Sequence, residues 1–259
     1  MSADNLQQLA HFAGELADAA GAAIRPHFRQ PINVDAKSDA SPVTIADRQS
    51  EQAMRALINQ RYPVHGIFGE EFGSEREDAQ FLWVLDPIDG TKAFITGVPL
   101  FGSLIGLMRD GRPVVGVIDQ PISGERWLGV EGRASTLNGR PIRTRACRSL
   151  SEAVLYTTTT ETYHGADRER FRALRARARL TRYSADCYAF GVLAAGFVDL
   201  VVEAGLKLYD YAALIPVIEG AGGRITDWSG MPLGRHSDGR VLAAGDPALH
   251  AEVLKILNA

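Results

Sequence analysis

Two cysteines in 259 residues, Cys147 and Cys187, are too few for a disulfide framework and suit a reducing compartment, where a lone thiol is most often inert core. A basic excess is missing too. The formal net charge of -3 argues against nucleic acid as the main partner, because nothing global neutralises phosphates. Long apolar runs do not occur: the most apolar segment, 190–202, is interrupted by Asp199 and too short to span a bilayer, so no membrane partner is expected. The chain starts with early acids and no basic region leading into an apolar stretch, so no secretory leader is expected and a cytoplasmic location is. The six histidines are scattered without ligand-pair spacing, and zinc spacings, Cys/His nucleophile arrangements and dinucleotide glycine motifs are absent. So are repeats, low-complexity tracts and Pro/Gly/Ser-rich linkers.

What is present is periodicity. Leu6, Leu9, Ala13, Leu16, Ala20 and Ile24 recur at helical spacing until Pro26. A second helix is predicted from Thr44, which has capping-box spacing to Asp47; Ala53, Met54, Leu57 and Ile58 face inward and Pro63 closes it. Strands are predicted at 81–85, 103–108, 114–118 and 126–130, with turn pairs at Asp110-Gly111 and Asn138-Gly139. Beyond them the pattern reads as a strand (153–158), an Arg-rich helix (167–178), a helix (188–195) and a strand (198–203). A helix over 210–221, kinked by Pro216 and stopped by Gly222-Gly223, precedes a strand (241–244) and a helix (247–257). This order predicts an α/β fold of packed layers with mixed sheets. An N-terminal α+β half, 1–147, carries Asp47 and Glu70; a C-terminal α/β half, 148–259, carries Asp186, Glu203 and Asp210. With no linker between them, the halves are expected to share an extensive interface.

The segment WVLDPIDGTKAF, 83–94, concentrates the chemistry. An apolar strand runs into Asp86 and Asp89, two carboxylates that converge if Pro87 turns the chain, with the Ile88 carbonyl between them. Hard cations such as Mg²⁺ take this oxygen-only set. Gly90 admits close backbone approach, and the Thr91 N–H at a new helical turn suits a phosphate oxygen. Upstream, GEEFG places Glu70 and Glu71 side by side, where they either point apart into solvent or share a cation. Each piece alone has an ordinary reading: a turn, a solvated acidic loop, and for Asp210 a helix cap.

Taken together, GEE, DPIDGT sixteen residues after its first Glu, and a late Asp opening a helix that ends in GAGG resemble the inositol monophosphatase family. The likeness runs from the SPVTIAD segment, Ser41 to Asp47, through Gly223. It implies a Mg²⁺-dependent phosphomonoesterase with a layered αβαβα fold, acting on a small-molecule phosphate monoester and assembling as a homodimer. By position it makes Glu70, Asp86, the Ile88 carbonyl and Asp89 metal ligands, and Asp210 a further ligand alongside Asp86 and Asp89. Asp47 and Thr91 then orient the attacking water with Glu70, Gly90 and Thr91 hold the phosphoryl group, and Glu71 stands outside the ligand set. Two ions about 3.5–4 Å apart would bind both the attacking and the leaving oxygen of an in-line displacement.

Within the family, Lys92 after Thr91 and the run YSADCYAFGVLAAGFVDLVVE, 183–203, are similar to histidinol-phosphate phosphatases. Glu203 stands seven residues before Asp210, where the family has a substrate-contacting Glu, and Asp186 replaces a small neutral residue of inositol-specific members. Added carboxylate suits an alcohol carrying an ammonium and an imidazole, although Asp186 could equally cap the helix over 188–195. The alternatives are an inositol-1-monophosphatase, or a 3′,5′-bisphosphate nucleotidase, which would need a cationic site from the Arg-rich stretch. The last is a catalytically silent metal-binding scaffold.

Overall fold

The computed structural model describes residues 3–36 and 42–259, so Ser41 lies outside it. Five layers stack in the order helix, sheet, helix, sheet, helix. Helices Ala3–Ile24 and Ile45–Arg61 form the first layer. The eight-stranded sheet beneath them runs Arg140–Pro141, Thr136–Leu137, Glu125–Val130, Arg112–Gln120, Gly102–Arg109, Phe81–Asp89, Gly66–Gly69, Gly73–Glu75. Helices Asp186–Ala194, Leu208–Tyr211 and Leu214–Gly220 make the middle layer. The five-stranded sheet runs Leu180–Tyr183, Val154–Thr157, Leu200–Glu203, Val241–Ala244, Arg224–Thr226, backed by helices Gly165–Arg175 and Pro247–Leu257. Both of these sheets mix parallel and antiparallel pairs. This is the expected layered αβαβα architecture.

Buried side chains fall into three cores: one under the first-layer helices, one around the middle helices between the two sheets, and one between the smaller sheet and its outer helices. Strand Phe81–Asp89 feeds two of them, as strand geometry requires of a sheet covered on both faces. Phe81, Trp83 and Leu85 pack under the first-layer helices, while Leu82 and Val84 face the middle layer. The middle core joins Leu82 and Val84 to Leu214, Val217 and Val241, so both halves of the chain contribute to it.

Several helix boundaries differ from expectation. The segment 210–221 is two helices, Leu208–Tyr211 and Leu214–Gly220, rather than one kinked helix. Pro216 sits in the first turn of the second, where backbone N–H groups have no intrahelical carbonyl to bond, so its lack of an N–H costs no helix bond. The Arg-rich helix ends at Arg175, and 180–183 form the edge strand of the smaller sheet.

Helix Leu214–Gly220 lies unusually close to the large sheet because the strands facing it carry no side chain there. A methyl group on Gly116 would overlap the Ala213 carbonyl, and one on Gly129 would overlap Pro216. Gly129→Ala is therefore expected to cost about 1–3 kcal/mol of stability through overpacking. Urea unfolding measures it; an unchanged midpoint would mean that the interface gives way freely.

Candidate active site

The site forms where strand Phe81–Asp89 loses its regular pairing. Asp86 pairs with Leu104 but Asp89 with Gly102, so the register shifts between them. An unbroken strand would point residues 86 and 89 to opposite faces. Here Asp86 continues the parity of Leu82 and Val84, whereas Ile88 turns into the core under the first-layer helices, which brings Asp89 round to the face of Asp86. The bulge is pinned: the Ser103 hydroxyl donates to the Pro87 carbonyl at 2.7 Å, and the Ile88 N–H to Asp86 Oδ1 at 3.0 Å.

Helix Leu208–Tyr211 brings Asp210 to the same point. Carboxylate oxygens of Asp86, Asp89 and Asp210 lie within 4.8 Å of one another. Asp210 is not a helix cap by its own position; it is the third helical residue, and its Oδ2 accepts the Lys207 N–H at 2.6 Å. Asp89 Oδ2 accepts the Cys187 N–H at 2.5 Å. Burial, reinforced by the charges of Glu70, Asp89 and Asp210, raises Asp86 well above the carboxylate range. Burial also lifts Asp89 to about 7, helped by Asp210, and Asp210 to about 7, helped by Glu70. Three crowded carboxylates, Asp86 buried and Asp89 and Asp210 half-buried, with oxygen-only donors fit a hard divalent cation, which would replace the protons they otherwise retain.

Glu70 follows strand Gly66–Gly69, which runs parallel to Phe81–Asp89, and its N–H donates to the Leu85 carbonyl at 3.1 Å. Its charge raises Asp47, Asp86, Asp89 and Asp210 alike. Glu71 turns its N–H to Glu51 Oε2 at 2.7 Å. Asp47, wholly buried, divides its oxygens: Oδ2 takes the Thr44 N–H and hydroxyl at 2.8 and 2.6 Å, completing the capping box, and Oδ1 faces the Thr91 hydroxyl at 3.4 Å. Burial raises Asp47 as well. The Thr91 hydroxyl also reaches the Ile88 carbonyl at 3.2 Å. Gly90, at φ +93°, precedes the short helix Thr91–Ile95, whose first N–H groups no side chain caps.

Asp186 and Glu203 line one cavity of about 140 Å³ together with Asp89, Asp210, Thr158 and Leu206. Helix Asp186–Ala194 starts two residues earlier than expected, Ala185 stands at its N-cap, and no side chain caps it, so the capping alternative for Asp186 is not realised. Asp186 adopts φ +46° and lies directly over Gly90, where an added methyl would come 3.0 Å from its carboxyl group. Burial and the Asp89 charge lift it to about 7, against the pull of Lys92. Glu203 is buried at the end of strand Leu200–Glu203; Oε1 accepts the Thr158 N–H and hydroxyl at 2.6 and 2.9 Å, and burial lifts it to about 8. A second cavity of about 360 Å³ adjoins through Thr158, Thr159 and Asp186 and reaches Lys92 and Glu161. Thr158 and Glu51 join this region without a motif that marks them. The run of four threonines, 157–160, and the Glu51/Arg55 helical spacing were the available signals.

This fold and carboxylate centre are those of a phosphatase. The chain belongs to the inositol monophosphatase family, which it matches over residues 5–259. It is 47% identical to the bifunctional phosphatase IMPL2 of Arabidopsis thaliana, covering all of this chain and 77% of that protein. A histidinol-phosphatase of Mycobacterium tuberculosis is 36% identical over all of both chains. The solved structure of an inositol monophosphatase from Zymomonas mobilis is 49% identical, with a TM-score of 0.91 and full coverage of both chains. No helix among the described residues is long and apolar enough to cross a membrane.

Proposed function

We propose that the chain is a Mg²⁺-dependent phosphomonoesterase whose substrate is a small cationic ester, histidinol phosphate. The observation that carries the reading is the placement of Glu203 and Asp186 on the walls of the cavity beside the Asp86–Asp89–Asp210 cluster. The likeness to named histidinol-phosphatases supports it. Asp86, Asp89 and Asp210, with Glu70 and the Ile88 carbonyl, would hold Mg²⁺, which when bound supplies Lewis acidity to the attacking water and the departing alkoxide. The open N–H groups of Gly90 and Thr91 hold phosphoryl oxygens. The Thr91 hydroxyl donates to Asp47 Oδ1 and offers its lone pairs to the attacking water, so a proton leaving that water passes to Thr91 Oγ as the Thr91 proton moves to Asp47. Burial raises the Asp47 pKa, which suits the carboxylate to accept it.

Glu203 and Asp186 face the leaving group; a substrate ammonium there would draw off the protons that burial lets them retain, and the charge-assisted hydrogen bond that results contributes about 1.5–3 kcal/mol. Glu203→Gln is accordingly expected to lower kcat/KM for histidinol phosphate about ten- to a hundred-fold while sparing p-nitrophenyl phosphate. Asp186→Asn should act likewise without loss of Tm, since it caps no helix. Equal losses on both esters would reduce the reading to an unspecified phosphomonoesterase.

A second reading, an inositol phosphate substrate, is favoured by the likeness to the Zymomonas mobilis inositol monophosphatase. Phosphate release from histidinol phosphate and inositol 1-phosphate side by side separates the two. A bisphosphate nucleotide has less support, since no arginine lines either cavity. A homodimer and a cytoplasmic location belong to the same proposal. The exposed Leu180 and Phe197 beside a groove of about 410 Å³ would receive the second copy, and the two free, buried thiols suit a reducing compartment. Sedimentation tests the dimer.

A further inference from the structure

Helix Ile45–Arg61 buries three charged residues, Asp47, Glu51 and Arg55, spaced one turn apart on one face. Asp47 belongs to the site just described; the other two lie outside it. Glu51 is completely buried, and its carboxylate is fully engaged: Oε1 accepts Arg55 Nε at 2.7 Å and the Phe72 N–H at 3.2 Å, and Oε2 accepts the Glu71 N–H at 2.7 Å. Arg55 continues the same grip. Its Nη1 donates to Glu75 Oε1 at 2.8 Å and its Nη2 to the Gly73 carbonyl. The two Glu51 bonds that leave the helix end on Glu71 and Phe72, in the turn between strands Gly66–Gly69 and Gly73–Glu75 that carries Glu70, and the two Arg55 bonds end on Gly73 and Glu75 of the strand that leaves this turn. The approach is close enough that a methyl group on Gly69 would overlap the Glu51 carboxylate.

A buried ion pair is a poor way to gain stability, because desolvation offsets most of the attraction and an apolar pair of similar volume packs as well. What an apolar pair cannot do is hold backbone N–H groups at defined points. We infer that Glu51 and Arg55 are positioning residues that set the Glu70 carboxylate against Asp47 and Asp86. One rigid helix carries the Asp47 carboxylate in its first turn and, about 6 Å further along, the clamp on the Glu70 turn. The separation of the two groups is thereby fixed by helix geometry rather than by the loop. The inference rests on the proposal that Glu70 is a metal ligand, and it extends that proposal to residues that touch neither metal nor substrate.

The test uses the full-length chain with Mg²⁺ alone as ligand, read by calorimetric titration and by hydrogen exchange of the Glu71 and Phe72 amides. Glu51→Gln puts a donor where an acceptor is needed. It is expected to weaken Mg²⁺ binding about ten- to a hundred-fold, in the range of outer-shell changes, and to accelerate exchange of both amides. Arg55→Lys keeps the pairing with Glu51 but loses the fork to Gly73 and Glu75. It should shift both readouts the same way by less, and it serves if Glu51→Gln does not fold. Lowered Tm with wild-type Mg²⁺ affinity and wild-type exchange at 25 °C would overturn the inference and leave the pair a stabilising element. Glu70→Gln is run in parallel. If it binds Mg²⁺ like the wild type, the ligand reading of Glu70 fails and the inference falls with it. If it binds weakly while the Glu51 and Arg55 variants do not, the inference alone fails.

Discussion

Asp89→Asn or Asp210→Asn is expected to lower kcat/KM by about 10³-fold at saturating Mg²⁺, the equivalent of about 4 kcal/mol. Each change removes one of three carboxylates whose oxygens lie within 4.8 Å of one another, and with it a charge that balances the bound cation. The same substitution should have the opposite effect on the metal-free fold. Asp89 and Asp210 are lifted from 3.8 to about 7 in the folded chain, so the folded state retains protons that the unfolded state releases. Their favourable contribution is full below the unfolded value of 3.8 and is lost as pH rises through about 7. In EDTA, wild-type Tm should therefore fall relative to Asp89→Asn as pH rises from about 4 to 8, with the two converging at the acid end. Adding Mg²⁺ should raise the wild-type Tm more than the variant's. Full turnover in EDTA, or a variant that keeps its rate, would remove the metal mechanism.

Thr91→Ala should lower kcat about 10²-fold or more while KM changes little. Its hydroxyl lies 3.4 Å from Asp47 Oδ1 and 3.2 Å from the Ile88 carbonyl, so its proton has acceptors and its lone pairs are left for water. Orientation of the nucleophile is realised mainly in the transition state, which places the loss in kcat. Thr91→Ser retains the hydroxyl and should recover most of the rate. Unchanged kcat with raised KM would assign Thr91 to phosphate holding and leave Asp47 without a relay partner.

Much of this site was legible because its motifs are local. The Thr44–Asp47 capping box, the apolar strand leading into Asp86 and the helix Pro247–Leu257 are set by residues a few positions apart, and each formed as expected. The edge strand Leu180–Tyr183 was not legible. Its sequence, Leu-Thr-Arg-Tyr, continues an arginine-rich stretch and becomes a strand only by pairing with Val154–Thr157. Asp186 shows the same limit: its spacing fits a cap, yet its backbone at φ +46° lays it over Gly90, a contact between segments nearly a hundred residues apart.

The sequence by itself determined the inventory: which carboxylates exist and which stand at strand or helix ends; where it predicted a turn at Pro87, the structure has a bulge within strand Phe81–Asp89. Tertiary structure decided their company. The register shift after Asp86 turns Asp89 to the same face, the break before Leu214 delivers Asp210 there, and burial lifts Asp89, Asp186 and Asp210 to about 7 and Glu203 to about 8. It also decided that Glu51 and Arg55, an ordinary surface pair by spacing, lie inside and grip the Glu70 turn. The physical reason is range. Propensity and capping act within a few residues, whereas desolvation and the repulsion between carboxylates depend on which distant segments the layers press together.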